Sequence, residues 1–198
     1  GQRFINEMIY GAMLGVELAE NQEGKAWLIL DKKLIKNSMK DVAGNKALAF
    51  QKALAKLNVY FGSTKANTIE NLAEKIGIDG SELRNTLASY NAAGKGGVSD
   101  NFGKGVDDIA TLQSPPYYAI DIGLQAKLFP CPALTLGGLH VDEKTGQVLT
   151  NDGQTLAGLY AAGRNAIGVA SWNYVSGLSI ADGIYSGRRA ARAMANSN

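Results

Sequence analysis

Gly158-Leu-Tyr-Ala-Ala-Gly163, then Arg164-Asn-Ala-Ile-Gly168, then Tyr174-Val-Ser-Gly177-Leu178-Ser179-Ile180 and on to Ala195, is the stretch on which the fold of this chain turns. Leu159–Ala162 predicts a short buried strand that runs into glycine. A glycine-rich loop follows, and a helix is predicted from about Gly177 to Met194. The start of that helix leaves its first amides unpaired and carries partial positive charge. Gly177, Leu178, Ser179 and Ile180 therefore present donors suited to phosphate or to another electron-rich ligand edge. Small residues along the helix (Ala181, Gly183, Ser186, Gly187, Ala190) permit close packing on a sheet. On spacing alone, a plain strand-loop-helix unit fits these residues as well as a ligand site does.

Working outward, Asn151-Asp-Gly153 marks a turn. Gln147–Thr150 and Leu139–Val141, joined through Thr145-Gly146, predict a β-hairpin, and Ala133–Leu136 predicts one more strand. At Ser114-Pro115-Pro116 the character changes, because the two prolines forbid helix and force an extended lead into Tyr117–Ile120. This break divides the chain into residues 1–114 and 115–198. Helices are predicted over Gly11–Glu20, where Met13 with Val16 and Leu14 with Leu18 stand at helical spacing, and over Asn45–Leu57. Between them Lys25–Leu30 predicts a buried strand. Asn67 with Glu70, and Asp79 with Glu82, predict helix N-caps. A helix over Ser81–Asn91 is expected to end at Gly94 as a left-handed terminator, and Gly94–Gly105 to form an exposed loop. The fold class is α+β.

Hydrophobic residues make up 45% and charged residues 19% of the 198 residues, the balance of a folded chain rather than a disordered one. A net charge of +2, with lysine and arginine spread along the chain, leaves no electrostatic footprint for nucleic acid. No apolar run approaches the roughly 20 residues that a membrane-spanning helix needs. The single cysteine, Cys131, excludes an internal disulfide, and the single histidine, His140, argues against a His-based metal site or a Ser-His-Asp triad. Chemistry must come from other groups or from a cofactor.

In order and spacing, Ser176-Gly177-x-Ser179-x-Ala181-Asp182-x-x-x-x-Gly187-Arg188-x-Ala190 after GLYAAG resembles the end of the FAD-dependent fumarate reductase and 3-ketosteroid dehydrogenase superfamily. The resemblance continues backwards through Pro116–Ile120, Thr135-Leu136-Gly137-Gly138-Leu139, Asp152-Gly153, Leu87–Asn91 with Asp100–Lys104, and Gly1-Gln-Arg3-Phe4-Ile5-Asn6-Glu7. It implies a substrate-capping domain over 1–114 and, over 115–198, a hairpin, strand and helix that complete a Rossmann-like FAD-binding domain. The ADP half of FAD would rest on an amino-terminal βαβ unit with a G-x-G-x-x-G turn. No such motif occurs here, so that half is expected as a missing partner. By the same resemblance Gly163, Arg164, Gly177, Leu178, Ser179 and Ile180 face the flavin, with Gly137 and Gly138 near its reactive edge. Arg164 departs from the family, which often carries Glu or Asn there.

Fumarate reductases clamp a dicarboxylate and deliver a proton with arginine and histidine. Tyr10-Gly11, Leu134 and Tyr174 stand where three of those groups would be. A site lined by Tyr10, Leu134, Trp172 and Tyr174 suits an apolar ketone or enone, as in the ketosteroid dehydrogenases. Their chemistry implies Tyr174 with the Gly177 amide as the pair that polarises the ketone, and Tyr10 as the base. The rival readings are a fumarate- or urocanate-type reductase of small unsaturated acids, and a non-catalytic cap and flavin-lobe fragment. His140 and Cys131 are expected to be structural, and Arg188-Arg189 to face solvent or to favour the helix C-terminus.

Overall fold

A computed structural model describes residues 1–43, 49–128, 134–168 and 173–196. The chain is mixed helix and sheet and forms two compact units, Gly1–Cys131 and Pro132–Asn198. Cys131 and Trp172 lie outside the described residues. No described helix is long and apolar enough to cross a membrane.

In the first unit α1 (Gly11–Asn21) leads to β1 (Trp27–Asp31), α2 (Lys32–Ala43), α3 (Ala49–Phe61), β2 (Ser63–Ala66), α4 (Ile69–Ile76), α5 (Gly80–Gly94) and β3 (Tyr117–Asp121). The double proline delivers β3 to the centre of an antiparallel sheet of order β1-β3-β2. Ala119 stands opposite both Ile29 and Thr64 and is fully buried, so the middle of the sheet is occupied by a methyl group. The sequence break at Ser114 thus opens the strand that joins β1 to β2, and the compact units part seventeen residues later, after Cys131.

Helix α4 brings Leu72 and Ala73 onto this sheet and onto α5, whose Leu83 and Leu87 close the core with Leu112. Each fully buried leucine contributes about 2 kcal/mol. Asp79 caps α5 as expected, its carboxylate accepting from the Glu82 amide at 2.9 Å. The α4 cap falls on Thr68, not Asn67: the Thr68 hydroxyl accepts from the Asn71 amide at 3.2 Å, one residue later in the same extended chain. Gly94 is not a left-handed terminator either. It is the last residue of α5, and the left-handed residues are Gly96 and Gly97. A β-carbon at Gly94 would stand 2.9 Å from the Thr111 methyl, so its smallness serves packing.

The fully buried carboxylate of Asp31 holds the unit together. Its oxygens accept from the amides of Leu34 at 2.7 Å, Gln113 at 2.9 Å and Ser114 at 2.9 Å, joining β1, α2 and the approach to β3. Asn91 makes a second such joint, its amide group exchanging two hydrogen bonds with the backbone of Leu112.

A charged cluster anchors the segment that precedes α1. Arg3 pairs with Glu7 and Asp100 and lies over the rings of Tyr90 and Phe102. Lys104 bonds Glu7 and the Tyr90 hydroxyl. The Asp100 side chain is therefore covered, within a loop that is otherwise mostly exposed as the sequence suggests. Burial alone would push its carboxyl up, but hydrogen bonds from Arg3 and from the amides of Lys104 and Phe102 outweigh that and hold it below the ordinary range.

The second unit contains β4 (Gln147–Leu149), β5 (Thr155–Tyr160) and α6 (Leu178–Ala195). β4 pairs antiparallel with β5 on one side and meets Val141 in a single bridge on the other. The expected first hairpin strand is thus reduced to a bridge, because an Asx turn at Asp142 bends the chain there. Leu134–Leu136 is irregular instead of a strand, and Ala133 lies outside the described residues. The predicted strand at Leu159 begins four residues earlier, at Thr155, and Leu159 is 47% exposed, not buried. The core of this unit is Val148, Ala161 and Ala166 with Val141 against them.

Two outcomes follow for stability. Asp31→Ala removes the acceptor of three buried amides and should cost about 3 kcal/mol by urea denaturation, with Asp31→Asn about half of that. Because the folded-state pKa of Asp100 is depressed, its contribution is present above the unfolded value of about 4 and is lost as pH falls below it. Asp100→Asn should accordingly flatten the acid side of the stability curve while lowering stability at neutral pH, as read from urea midpoints across a pH series.

Candidate functional site

Three segments of the second unit converge: Leu134–Leu139, the turn Gly163–Asn165, and the first turns of α6. Gly163 takes the left-handed conformation, φ +58°, and a β-carbon there would lie 3.4 Å from the Gly183 Cα. Its amide donates to Ser186 Oγ at 2.8 Å, and that hydroxyl donates to the Asp182 carbonyl at 2.6 Å. The turn is thereby seated on α6. Ser179, Asp182 and Ser186 stand at i, i+3 and i+7, one face of the helix, which is the signal by which Ser186 could have been found in the sequence.

Gly138 crosses the same turn from the other side. A β-carbon at Gly138 would come within 2.7 Å of the Asn165 carbonyl group. The crossing is closed by Leu139 N–H to Asn165 O at 2.9 Å and Ile167 N–H to Leu139 O at 3.0 Å, the two bonds of a parallel bridge between Leu139 and Ala166. Arg164 completes the convergence: its guanidinium donates to Ser179 Oγ at 3.1 Å and to the Thr135 carbonyl. Thr135, Leu136, Gly163, Arg164, Ala166, Gly168, Ser179 and Asp182 line a half-open hollow of about 20 Å³, room for one water.

Gly177 caps α6 in the left-handed conformation, φ +87°, and offers no side chain to the amides behind it. A β-carbon at Gly177, or at Gly137, would meet nothing within 4 Å. A flat ring can therefore approach the backbone at both places. The Leu178 and Ile180 amides, expected to be free, are paired with the Val175 and Gly177 carbonyls at 3.1 and 3.2 Å, so the side-chain donors there are the Ser179 hydroxyl and the Arg164 guanidinium, with the Asp182 carboxylate beside them. This set fits the electron-rich N1–C2=O edge of an isoalloxazine, which gains negative charge on reduction. Of the residues expected from the sequence, Gly138, Gly163, Arg164 and Ser179 are brought together directly. Leu178 and Ile180 belong to the same first turn, with Ile180 facing outward, and Gly137 adjoins the crossing. Tyr174 is half-buried in the extended lead to Gly177.

Tyr10 belongs to the first unit. It stands as the N-cap residue of α1 in extended conformation, its carbonyl accepting from the Met13 amide at 2.8 Å, and it is 45% exposed. Among the described residues no group of three or more acidic, histidine or cysteine side chains could hold a metal ion.

Residues 1–180 match the family described as FAD binding domain. The chain is 37% identical over 163 residues to a 3-oxo-5-alpha-steroid 4-dehydrogenase of Comamonas testosteroni, covering 82% of this chain and 31% of that protein. It is 29% identical over 193 residues to a fumarate reductase (cytochrome) of Shewanella frigidimarina, covering 96% and 30%. Among solved structures, 3-ketosteroid-Δ4-(5α)-dehydrogenase from Rhodococcus jostii RHA1 in complex with 4-androstene-3,17-dione superposes with a TM-score of 0.74 at 28% identity, over 98% of this chain and 36% of that one. 3-Ketosteroid Δ1-dehydrogenase from Sterolibacterium denitrificans gives 0.73 at 26% identity, over 100% and 37%. The chain thus spans about a third of the length of these relatives.

Proposed function

The chain belongs to the FAD binding domain family, and from that premise we propose that it serves an FAD-dependent oxidoreductase that adds or removes hydrogen across a C–C bond beside a ketone, with a steroid-like substrate preferred. In this assignment residues 1–114 cap the substrate and residues 115–198 hold the flavin. Gly163, Arg164, Gly177, Leu178, Ser179 and Ile180 face the isoalloxazine, and Gly137 and Gly138 lie at its reactive edge. The ADP half of the cofactor would be carried by a βαβ unit with a G-x-G-x-x-G turn, which these 198 residues lack.

The observation that carries the substrate class is Tyr174, set three residues before a left-handed glycine whose amide opens an uncapped helix. FAD, when bound, supplies the acceptor or donor of the hydride. The Tyr174 hydroxyl and the Gly177 amide hydrogen-bond the ketone oxygen and draw electron density from the adjacent carbon, which makes its C–H acidic. Tyr10 takes that proton in dehydrogenation and returns it in reduction. Leu134 and Tyr174 bring no positive charge, so a dicarboxylate would lose its counter-charges here while an apolar ketone loses nothing. The likeness to steroid dehydrogenases supports the same choice.

In the flavin-loaded protein, Tyr174→Phe should lower turnover of a 3-ketosteroid about 10²-fold, and Tyr10→Phe about 10²- to 10⁴-fold. Substrate-dependent bleaching of the flavin absorbance reads the turnover. Exchange of the substrate's α-hydrogen with deuterated solvent reads the Tyr10 step separately. Turnover of fumarate in preference to a ketosteroid, or undiminished activity in both variants, would overturn the assignment.

A further inference from the structure

Arg164 sits at the wrong end of a helix. A cation beside the N-terminus of α6 opposes the helix dipole. Its two hydrogen-bond partners, the Ser179 hydroxyl and the Thr135 carbonyl, are neutral. Among the described residues no carboxylate lies within ion-pair distance of it. Asp182 lines the same small hollow without pairing with it. Two positive features, the guanidinium and the helix end, are thus gathered at one place with no ion pair to balance them.

The partners also show what the side chain does mechanically. Leu134–Gly138 is neither helix nor strand, and among the described residues it is attached to the rest of the unit by the Gly138–Asn165 crossing at one end and by Arg164 at Thr135. The first turn of α6 begins at a glycine without a side-chain cap, and Arg164 grips it through Ser179. A planar fork of donors can hold both segments at fixed spacing. A lysine, as a point charge on a flexible stem, cannot.

We propose that Arg164 is the positioning residue and the fixed positive charge of the flavin site. It clamps Leu134–Gly138 and the start of α6 to the Gly163 turn, and it favours reduced, anionic flavin over oxidised flavin. The role rests on the flavin siting proposed above, which uptake of FAD by the unaltered protein tests first.

Three variants separate clamp from charge. Arg164→Gln removes the charge, so the affinity ratio of reduced to oxidised flavin should fall about tenfold, a drop of about 30 mV in the midpoint potential of a two-electron couple. Arg164→Lys keeps the charge and the potential but loses the fork. Hydrogen exchange at the Leu139 amide, measured on the protein without flavin, should then quicken about tenfold. Arg164→Ala should show both effects. A wild-type potential in Arg164→Gln, or wild-type exchange in Arg164→Ala, overturns the proposal while leaving the flavin siting intact. If the unaltered protein, with its G-x-G-x-x-G half supplied, takes up no FAD, the siting itself fails and this role with it.

Discussion

At Gly138 and Asn165 two stretches of backbone pass closer than a β-carbon would permit, and the geometry of the second unit depends on that crossing. Because the chains meet there, Leu139 and Ala166 can form their parallel bridge, and the turn carrying Arg164 is held beside Leu134–Gly138. Gly163 repeats the device against α6, with a left-handed turn set on Gly183 and its amide delivered to Ser186. Glycine in these places removes bulk, and the removal lets polar backbone come to the surface of a packed unit. The outcome is a patch where the Arg164 guanidinium and the Ser179 hydroxyl stand beside the Asp182 carboxylate, at a helix end that is itself positive.

The first unit meets a related problem by other means. Its connections are long, and a buried connection must find partners for its amides. Asp31 provides them for three at once, and Asn91 does so for Leu112. These polar joints sit at the margins of an apolar core centred on Leu72, Ala73 and Ala119, so the hydrophobic layer stabilises the unit and the side-chain acceptors set its register. The Arg3, Glu7, Asp100 and Lys104 cluster does the same for the segment that ends at Tyr10. Its aromatic floor of Tyr90 and Phe102 shields the charges from water and strengthens their pairing.

The first unit presents an exposed tyrosine, Tyr10, at the start of α1. The second presents the Arg164 guanidinium, the Ser179 hydroxyl and a helix that begins at a glycine without a side-chain cap. In this family the redox chemistry belongs to the cofactor.

Much of this was legible in the sequence, and the physical reasons are local. Period and capping chemistry are properties of neighbouring residues, so α1, α6, β1, β3 and the Asp79 cap could be read directly. Where two neighbours compete, as Asn67 and Thr68 do for one cap, sequence could not choose, because the choice depends on which residue the sheet leaves extended. Gly94 was misread for the same reason: its role is set by Thr111 and Ile109, which the fold brings from far along the chain. Asp31 and Asp100 carried no sign of burial, since partners such as Gln113, Ser114 and Arg3 come from far along the chain. Composition and motif order determined the family and the cofactor. Only the tertiary structure decided that Arg164 spans Ser179 and Thr135, because a hydrogen-bond fork across three segments exists only once those segments have met.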